Sequence, residues 1–269
     1  MQASRGDGPP ARSRSGPTLR HCSPQRGSRP PVSRPGLEFL GRHRDHPLIQ
    51  RLDVIPLSSQ FPSTTTAHVP SVHFGMPVHE HGLYEWNILE PTLGEIICPL
   101  RFDATGAEEE GTLVGRLEPS VLAPGQTFYE SLTVPCIVAQ PFRLAGSFSA
   151  VATRGAQVIG FRRLREGVRA LGEAFAAPGS DHRYALLYWD LIDRAGHDHG
   201  PGSPEFAVAC RRSLDELWDA SHALRAVIVL ITADHGPDRR QARSRRLPRR
   251  CLARFADAAL IAAAGGILA

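Results

Sequence analysis

The residue types best suited to chemistry in this chain are two pairs of an aspartate and a histidine, each placed after an apolar run. Asp234 and His235 follow the apolar residues 227–231, and a similar run precedes Asp193 and His197. Carboxylate oxygen and imidazole nitrogen are ligands that zinc and similar divalent cations accept. Because open α/β sheets bind their ligands at the carboxyl ends of strands, the two pairs predict a metal centre at that edge of a sheet.

A hydroxyl-rich block at residues 61–68, FPSTTTAH, is the third feature with chemical potential. Such a run at the start of a helix can be a simple N-cap. The same helix terminus also offers N–H groups and the positive end of a dipole to a phosphate group. A threonine there becomes nucleophilic when a metal ion lowers the pKa of its hydroxyl. From the residues alone, a capped helix and a covalent-catalysis site are both open.

The three blocks, in this order, resemble the type I phosphodiesterase/nucleotide pyrophosphatase family of the alkaline phosphatase superfamily. The resemblance covers roughly residues 36–238. Counting back from Gly75 of the FGMP turn, it implies that Thr65 is the nucleophile, with Thr64 as the alternative. It also implies a phosphate contact from Asn87 in the HGLYEWN stretch.

By the same resemblance, the expected cofactors are two divalent metal ions, with zinc as the first choice. Asp193 and His197 would bind one ion, while Asp234, His235 and the Thr65 oxygen would bind the other. The threonine would attack phosphorus in line, and water would then hydrolyse the phosphothreonine. The implied activity is hydrolysis of a small phosphate ester or nucleotide, by a phosphodiesterase or nucleotide pyrophosphatase reaction.

Two parts of the family pattern have no counterpart in this sequence. The resemblance implies a first apolar strand that ends in an aspartate ligand, but the residues before Gly36 contain no such run. It also implies a late histidine ligand, but no histidine follows His235. We therefore expect a truncated fold, incomplete at both termini, with each ion one protein ligand short and turnover slow or absent. His199, two residues after His197, is a candidate for partial replacement.

The ends of the chain differ in composition from its middle. Residues 1–35 are rich in Pro, Arg and Ser without apolar periodicity, which predicts a disordered tail. Residues 239–269 form a second tail, Arg-rich and then Ala-rich, whose apolar end we interpret as a frayed helix. Clustered arginines can bind nucleic acid nonspecifically. No stacking platform or recognition motif accompanies them, so solvated ends are the simpler interpretation and nucleic-acid binding is the alternative.

The middle of the chain, residues 36–238, reads as one α/β domain with an alkaline-phosphatase-like, mostly parallel sheet flanked by helices. The apolar runs before the two Asp–His pairs predict buried strands. Ser203, Pro204 and Glu205 supply an N-cap, a first-turn proline and a first-turn acid, which predict the start of a helix. The resemblance implies that residues 88–180 include a small cap over the site.

Four further histidines follow or lie within the hydroxyl block. They are His68, His73, His79 and His81. We interpret them as structural side chains that support the site without binding the metal.

Cysteine usage and the first residues bear on location and partners. Five cysteines are odd in number and widely spaced, which favours neither a disulfide framework nor a Cys-x-x-Cys metal site. The amino-terminal residues lack the apolar core of a secretory signal, so a cytoplasmic location is the default expectation. The expected partner is a small-molecule substrate, with no specific nucleic acid and no membrane. The sequence leaves the oligomeric state open.

Overall fold

A computed structural model describes residues 35–55, 57, 59–107, 111–144, 146–181, 184–225, 227–236 and 259–264. The predicted disordered tail at residues 1–35 lies outside these ranges except for Pro35, which begins the first helix. Residues 239–258 and 265–269 of the predicted second tail lie outside them as well, together with residues 237 and 238. No helix among the described residues is both long enough and apolar enough to cross a bilayer.

The described residues form helices and strands that alternate only in the middle of the chain, from residue 128 to residue 199. The α-helices are α1 (Pro35–Arg42), α2 (Pro47–Gln50), α3 (Thr65–Phe74), α4 (Val78–His81), α5 (Phe128–Ser131), α6 (Ser147–Ala152), α7 (Leu164–Ala176), α8 (Leu191–His199) and α9 (Pro204–Ser221). The strands are β1 (Ile88–Glu90), β2 (Glu95–Cys98), β3 (Asp103–Ala104), β4 (Cys136–Pro141), β5 (Ala156–Phe161), β6 (Tyr184–Trp189), β7 (Ile228–Ala233) and β8 (Ala259–Ala264). Short 3₁₀ turns lie at Pro119–Leu122 and Phe142–Leu144.

The larger sheet has the strand order β5-β4-β6-β8-β7. Strand β4 pairs in parallel with both β5 and β6, whereas β8 pairs antiparallel with β6 and with β7. Strands β4 to β7 therefore all run in one direction. This arrangement confirms the prediction of a mostly parallel sheet flanked by helices.

Strand β8 corrects one expectation about the second tail. We interpreted its apolar end as a frayed helix, but Ala259–Ala264 form a strand that pairs along its whole length with both neighbours. Strands β6 and β7 each present a row of backbone hydrogen-bonding groups, and a six-residue segment between them satisfies both rows. Pairing of this kind depends on partners distant in sequence, so the local composition did not reveal it.

The central strands are covered on both faces because alternate side chains point to opposite sides of the sheet. On one face, Ile137 of β4 and Leu187 of β6 pack in a core that includes α7 and α9. On the other face, Val138 and Leu186 pack against Tyr129 of α5, together with part of α3. The helix α3 thus lies on the opposite side of the sheet from α7 and α9.

The helix predicted after the second Asp–His region is present as α9. Its N-cap, Ser203, accepts a hydrogen bond from the backbone N–H of Phe206 at 3.1 Å, and Pro204 occupies the first turn. The apolar runs before both Asp–His pairs are strands β6 and β7, as predicted. Both pairs therefore follow strands that run in the same direction.

A smaller antiparallel sheet, β1-β2-β3, occupies residues 88–104, within the stretch where we expected a cap. Ile97 and Phe102 are fully buried in a separate hydrophobic cluster. Phe74, at the end of α3, belongs to the same cluster. This cluster anchors the smaller sheet to the helix that begins at Thr65. A capping role over the site remains a prediction.

Candidate functional site

The site begins at the amino terminus of α3, where Thr64 is the N-cap. Its hydroxyl accepts a hydrogen bond from the backbone N–H of Ala67 at 2.9 Å and donates one to the Tyr84 carbonyl oxygen at 3.1 Å. The N-cap interpretation of the hydroxyl block is therefore confirmed for Thr64. Because Thr64 is the N-cap, Thr65 is the first helical residue. The bond to Tyr84 also joins the helix start to the HGLYEWN stretch.

The Thr65 hydroxyl oxygen lies 3.1 Å from Nε2 of His235, although 170 residues separate the two in sequence. Both side chains are buried, with 8% and 4% of their residue surface exposed. The contact joins the start of α3 to the turn that follows β7. A hydroxyl at this position also sits at the positive end of the helix dipole.

Asp234 approaches the same histidine through both carboxylate oxygens. One oxygen, Oδ1, accepts a hydrogen bond from the His235 backbone N–H at 2.9 Å, and Oδ2 lies 3.6 Å from Nε2. The carboxylate thus faces the nitrogen that contacts Thr65, unlike the acid of a Ser–His–Asp relay, which holds the other ring nitrogen. Two ligands of one tetrahedral zinc ion, with bonds of about 2 Å, lie about 3.3 Å apart. The separations of these donors match that spacing.

The second pair lies on α8. Oδ1 of Asp193 is 3.6 Å from Nε2 of His197, with the two residues one helical turn apart. From the sequence, Gly196 is expected to let the backbone fold so that the two side chains converge, but Gly196 lies inside the helix. The i, i+4 spacing of the helix brings the side chains together instead.

The imidazoles of the site share a low proton affinity. Burial is the main reason that the pKa of His235 is lowered, and the nearby Asp234 charge partly opposes it. Burial also lowers the pKa of His197, and the neighbouring His235 lowers it further. Burial likewise lowers the pKa of His68. At neutral pH these rings are uncharged, which is the form in which histidine binds metals.

Three polar residues that the sequence did not single out join this edge of the sheet. Arg143, directly after β4, forms an ion pair with Asp190, directly after β6. Burial raises the pKa of Tyr188 well above its usual value, and the charges of Asp234, Asp190 and Asp193 raise it further. Each residue ends or follows an apolar strand, and that position was the signal available in the sequence.

The described residues hold no group of three or more His, Cys, Asp or Glu side chains arranged to bind a metal ion. The donors stand instead as two Asp–His pairs, each with suitable chemistry and separation. The set with the most donors is that of Asp234, His235 and the Thr65 hydroxyl. The pairs fit the expected ions in donor type.

Two other candidates have different surroundings. Asn87 directly precedes β1, and its side-chain oxygen accepts a hydrogen bond from the Thr105 hydroxyl at 2.9 Å. His199 is the last residue of α8. A phosphate contact from Asn87 and a ligand role for His199 remain predictions.

The chain also matches a known protein family. The sequence profile of the type I phosphodiesterase/nucleotide pyrophosphatase family matches residues 42–249. The chain belongs to this family. The match spans the hydroxyl block and both Asp–His pairs, so it confirms the family resemblance carried by those motifs. A comparison with curated proteins found no match.

Two solved structures are similar to part of this chain at low sequence identity. Murine ectonucleotide pyrophosphatase/phosphodiesterase 5 is 16% identical, with a TM-score of 0.49, over 67% of this chain and 48% of its own. Phosphonoacetate hydrolase from Sinorhizobium meliloti 1021, in complex with phosphonoformate, is 16% identical, with a TM-score of 0.47, over 74% of this chain and 52% of its own. The chain spans about half the length of these structures.

Proposed function

We propose that this chain is a metal-dependent hydrolase of phosphodiesters or nucleotide pyrophosphates and that Thr65 is its nucleophile. The observation that carries the proposal is the 3.1 Å contact between the Thr65 hydroxyl and Nε2 of His235. It places the candidate nucleophile beside the Asp–His pair at the carboxyl end of β7. The family membership supports the reaction class.

Thr64 and Thr65 divide two tasks between them. The Thr64 hydroxyl is engaged as the N-cap, so it is a poor nucleophile, while Thr65 faces the Asp–His pair. The free N–H groups at the start of α3 would stabilise the negative phosphoryl oxygens of a bound substrate. A small phosphate ester or nucleotide is the expected substrate, with Asn87 as a proposed phosphate contact.

The metal ions would be held by the donors already described. Asp234, His235 and Thr65 would hold one ion, and Asp193 with His197 the other. Such ions, zinc in the first place, lower the pKa of a coordinated hydroxyl and neutralise charge on the phosphoryl group.

The reaction would proceed in two displacements at phosphorus. In the first, the Thr65 oxygen bonds to phosphorus in line, the bond to the leaving-group oxygen breaks, and the proton of the Thr65 hydroxyl ends on the leaving group. In the second, water attacks the phosphothreonine, the bond to the Thr65 oxygen breaks, and the hydroxyl regains a proton from that water. The product is a phosphate monoester when the substrate is a diester.

A catalytically silent member of the family is the second candidate. The observation that favours it is the absence, among the described residues, of a three-residue His, Cys, Asp or Glu cluster suited to a metal ion. Such a protein would keep the fold and bind metal weakly. Nucleic-acid binding through the arginine-rich tails concerns residues outside the described ranges and remains a prediction from composition.

Turnover of an aryl phosphodiester by the full chain, loaded with zinc, tests the proposal. We expect Thr65→Ala to lower kcat at least about 100-fold because the nucleophile is lost, and we expect Thr65→Ser to retain part of the activity. Thr133→Ala, at an exposed position, is the matched control. Mass spectrometry of the intact protein should show a phosphoryl adduct on the wild type and no adduct on Thr65→Ala. Turnover that survives Thr65→Ala would refute the mechanism, and a folded wild type without turnover would favour the silent member.

A further inference from the structure

His68 lies on α3, one helical turn after Thr65, and only 9% of its surface is exposed. Its Nδ1 atom is 2.7 Å from the Thr64 carbonyl oxygen. A carbonyl oxygen only accepts hydrogen bonds, so Nδ1 must carry the proton and donate. In the neutral ring, this leaves a lone pair on Nε2.

That Nε2 atom is buried and has no hydrogen-bond partner among the described residues. A buried polar atom without a partner is costly, and in native proteins such an atom usually has a reason to be kept. The Nδ1 atom ties the ring to the helix start, so the contact that holds the ring does not use Nε2. The lone pair is therefore available to a ligand.

The ring of His68 neighbours the ring of His235, with their centres 6.3 Å apart. Two imidazoles on one tetrahedral zinc ion, with bonds of about 2 Å, have ring centres roughly 5 Å apart. A relative movement of about 1 Å would bring the two rings to that spacing. In this arrangement His235 would bind the ion through Nε2, the atom that contacts the Thr65 hydroxyl.

We propose that His68 is a ligand, through Nε2, of the metal ion held by Thr65, Asp234 and His235. As they stand, His68, Asp234 and His235 are not arranged to hold an ion. With the ring movement of about 1 Å, the site would have two nitrogen and two oxygen donors, the number of ligands that zinc prefers. The bond from Nδ1 to the Thr64 carbonyl is the support that metal-bound histidines have, since it fixes the tautomer and the ring orientation. This assignment rests on the metal centre of the proposed function and replaces the structural role that the sequence suggested for His68.

Metal affinity of the full chain, measured without reference to turnover, tests the assignment. Zinc is removed with a chelator, and zinc binding is then followed by calorimetry, with the visible spectrum of bound cobalt as a second measurement. His68→Asn keeps an N–H donor within reach of the Thr64 carbonyl but lacks the Nε2 atom. His73→Asn changes a buried histidine on the same helix whose Nδ1 contacts a tyrosine, and it serves as the matched control.

We expect His68→Asn to weaken zinc binding at one site about 10- to 100-fold and to reduce the cobalt absorption, with His73→Asn leaving both unchanged. His68→Gln, whose amide reaches the Nε2 position, should recover part of the affinity if its oxygen binds the ion. Equal affinity of His68→Asn and wild type would overturn the assignment. So would equal losses in both Asn variants, or a wild type that binds no zinc.

The same measurements separate this assignment from the proposed function. A wild type that binds zinc through His68 but does not hydrolyse phosphodiesters would refute the proposed function alone. A wild type that hydrolyses them with zinc affinity independent of His68 would refute the assignment alone.

Discussion

The Nδ1 atom of His73 lies 2.8 Å from the Tyr129 hydroxyl oxygen, and both side chains are almost fully buried. Burial lowers the pKa of His73 from 6.5 to about 4. Above about pH 6.5 this ring is neutral in both the folded and the unfolded protein. Between about pH 6.5 and 4, the histidine is charged in the unfolded chain and neutral in the folded protein.

This difference predicts a loss of stability in mild acid. Between about pH 6.5 and 4, the unfolded state binds a proton at His73 that the folded state refuses, so the free energy of unfolding falls as the pH falls through this window. Between pH 7.5 and 5 the expected loss from this residue is about 2 kcal/mol. Urea unfolding at both pH values measures it.

Two substitutions make this prediction specific to His73. His73→Gln should flatten the pH dependence by about 2 kcal/mol because glutamine does not titrate. His79→Gln changes a histidine whose side chain is 72% exposed and should leave the dependence unchanged. An unaltered pH dependence in His73→Gln would show that other groups cause the acid sensitivity.

A second prediction separates the two threonines at the start of α3. Thr64→Ala removes the N-cap bond and the bond to Tyr84, so we expect a loss of about 1–2 kcal/mol in the free energy of unfolding. Thr64→Ser keeps the capping oxygen and should lose less. Thermal and urea unfolding compare both variants with the exposed Thr133→Ala. Loss of hydrolysis in a Thr64→Ala protein of unchanged stability would transfer the nucleophile role to Thr64.

A third prediction concerns close packing on α7. A Cβ atom at Gly172 would lie 2.5 Å from the Ala223 carbonyl oxygen and 2.8 Å from the Ala223 Cβ. Alanine favours helices by up to about 1 kcal/mol over glycine. The steric conflict should exceed this gain, so we expect Gly172→Ala to lower stability by roughly 1–2 kcal/mol.

The control for this prediction is Gly41, in helix α1, where a Cβ atom would meet nothing within 4 Å. Gly41→Ala should be neutral or slightly stabilising. Thermal unfolding of the two variants separates crowding from helix propensity. If Gly172→Ala is as stable as Gly41→Ala, the prediction is wrong. The segment around Ala223 would then move aside with no loss of stability.

Much of the site's placement could be predicted because it follows from local pattern. Short apolar runs predicted the strands β6 and β7. Parallel sheets bind ligands at the carboxyl ends of their strands, and this rule predicted that both Asp–His pairs lie at one edge. The order of the motifs indicated the family, and the family resemblance in turn indicated Thr65 as the nucleophile. The contact between Thr65 and His235 is consistent with that chain of inference.

What escaped prediction depends on partners far apart in sequence. Strand β8 gains its structure from two neighbours, and the pair of Arg143 with Asp190 forms only because β4 and β6 lie side by side. The open lone pair of His68 follows from a bond to the carbonyl of its own N-cap. Residue types alone show none of these relationships, which require the register of the strands and the direction of each side chain.

The distance in sequence between Thr65 and His235 has a consequence for synthesis. The threonine leaves the ribosome 170 residues ahead of the histidine that it contacts. At typical rates of about 5–20 residues per second, it waits roughly 10–30 s before that partner exists. Throughout this interval Thr65 lacks the Asp234–His235 pair that it faces in the folded chain. The contact between Thr65 and His235 can therefore form only after residue 235 has been synthesised.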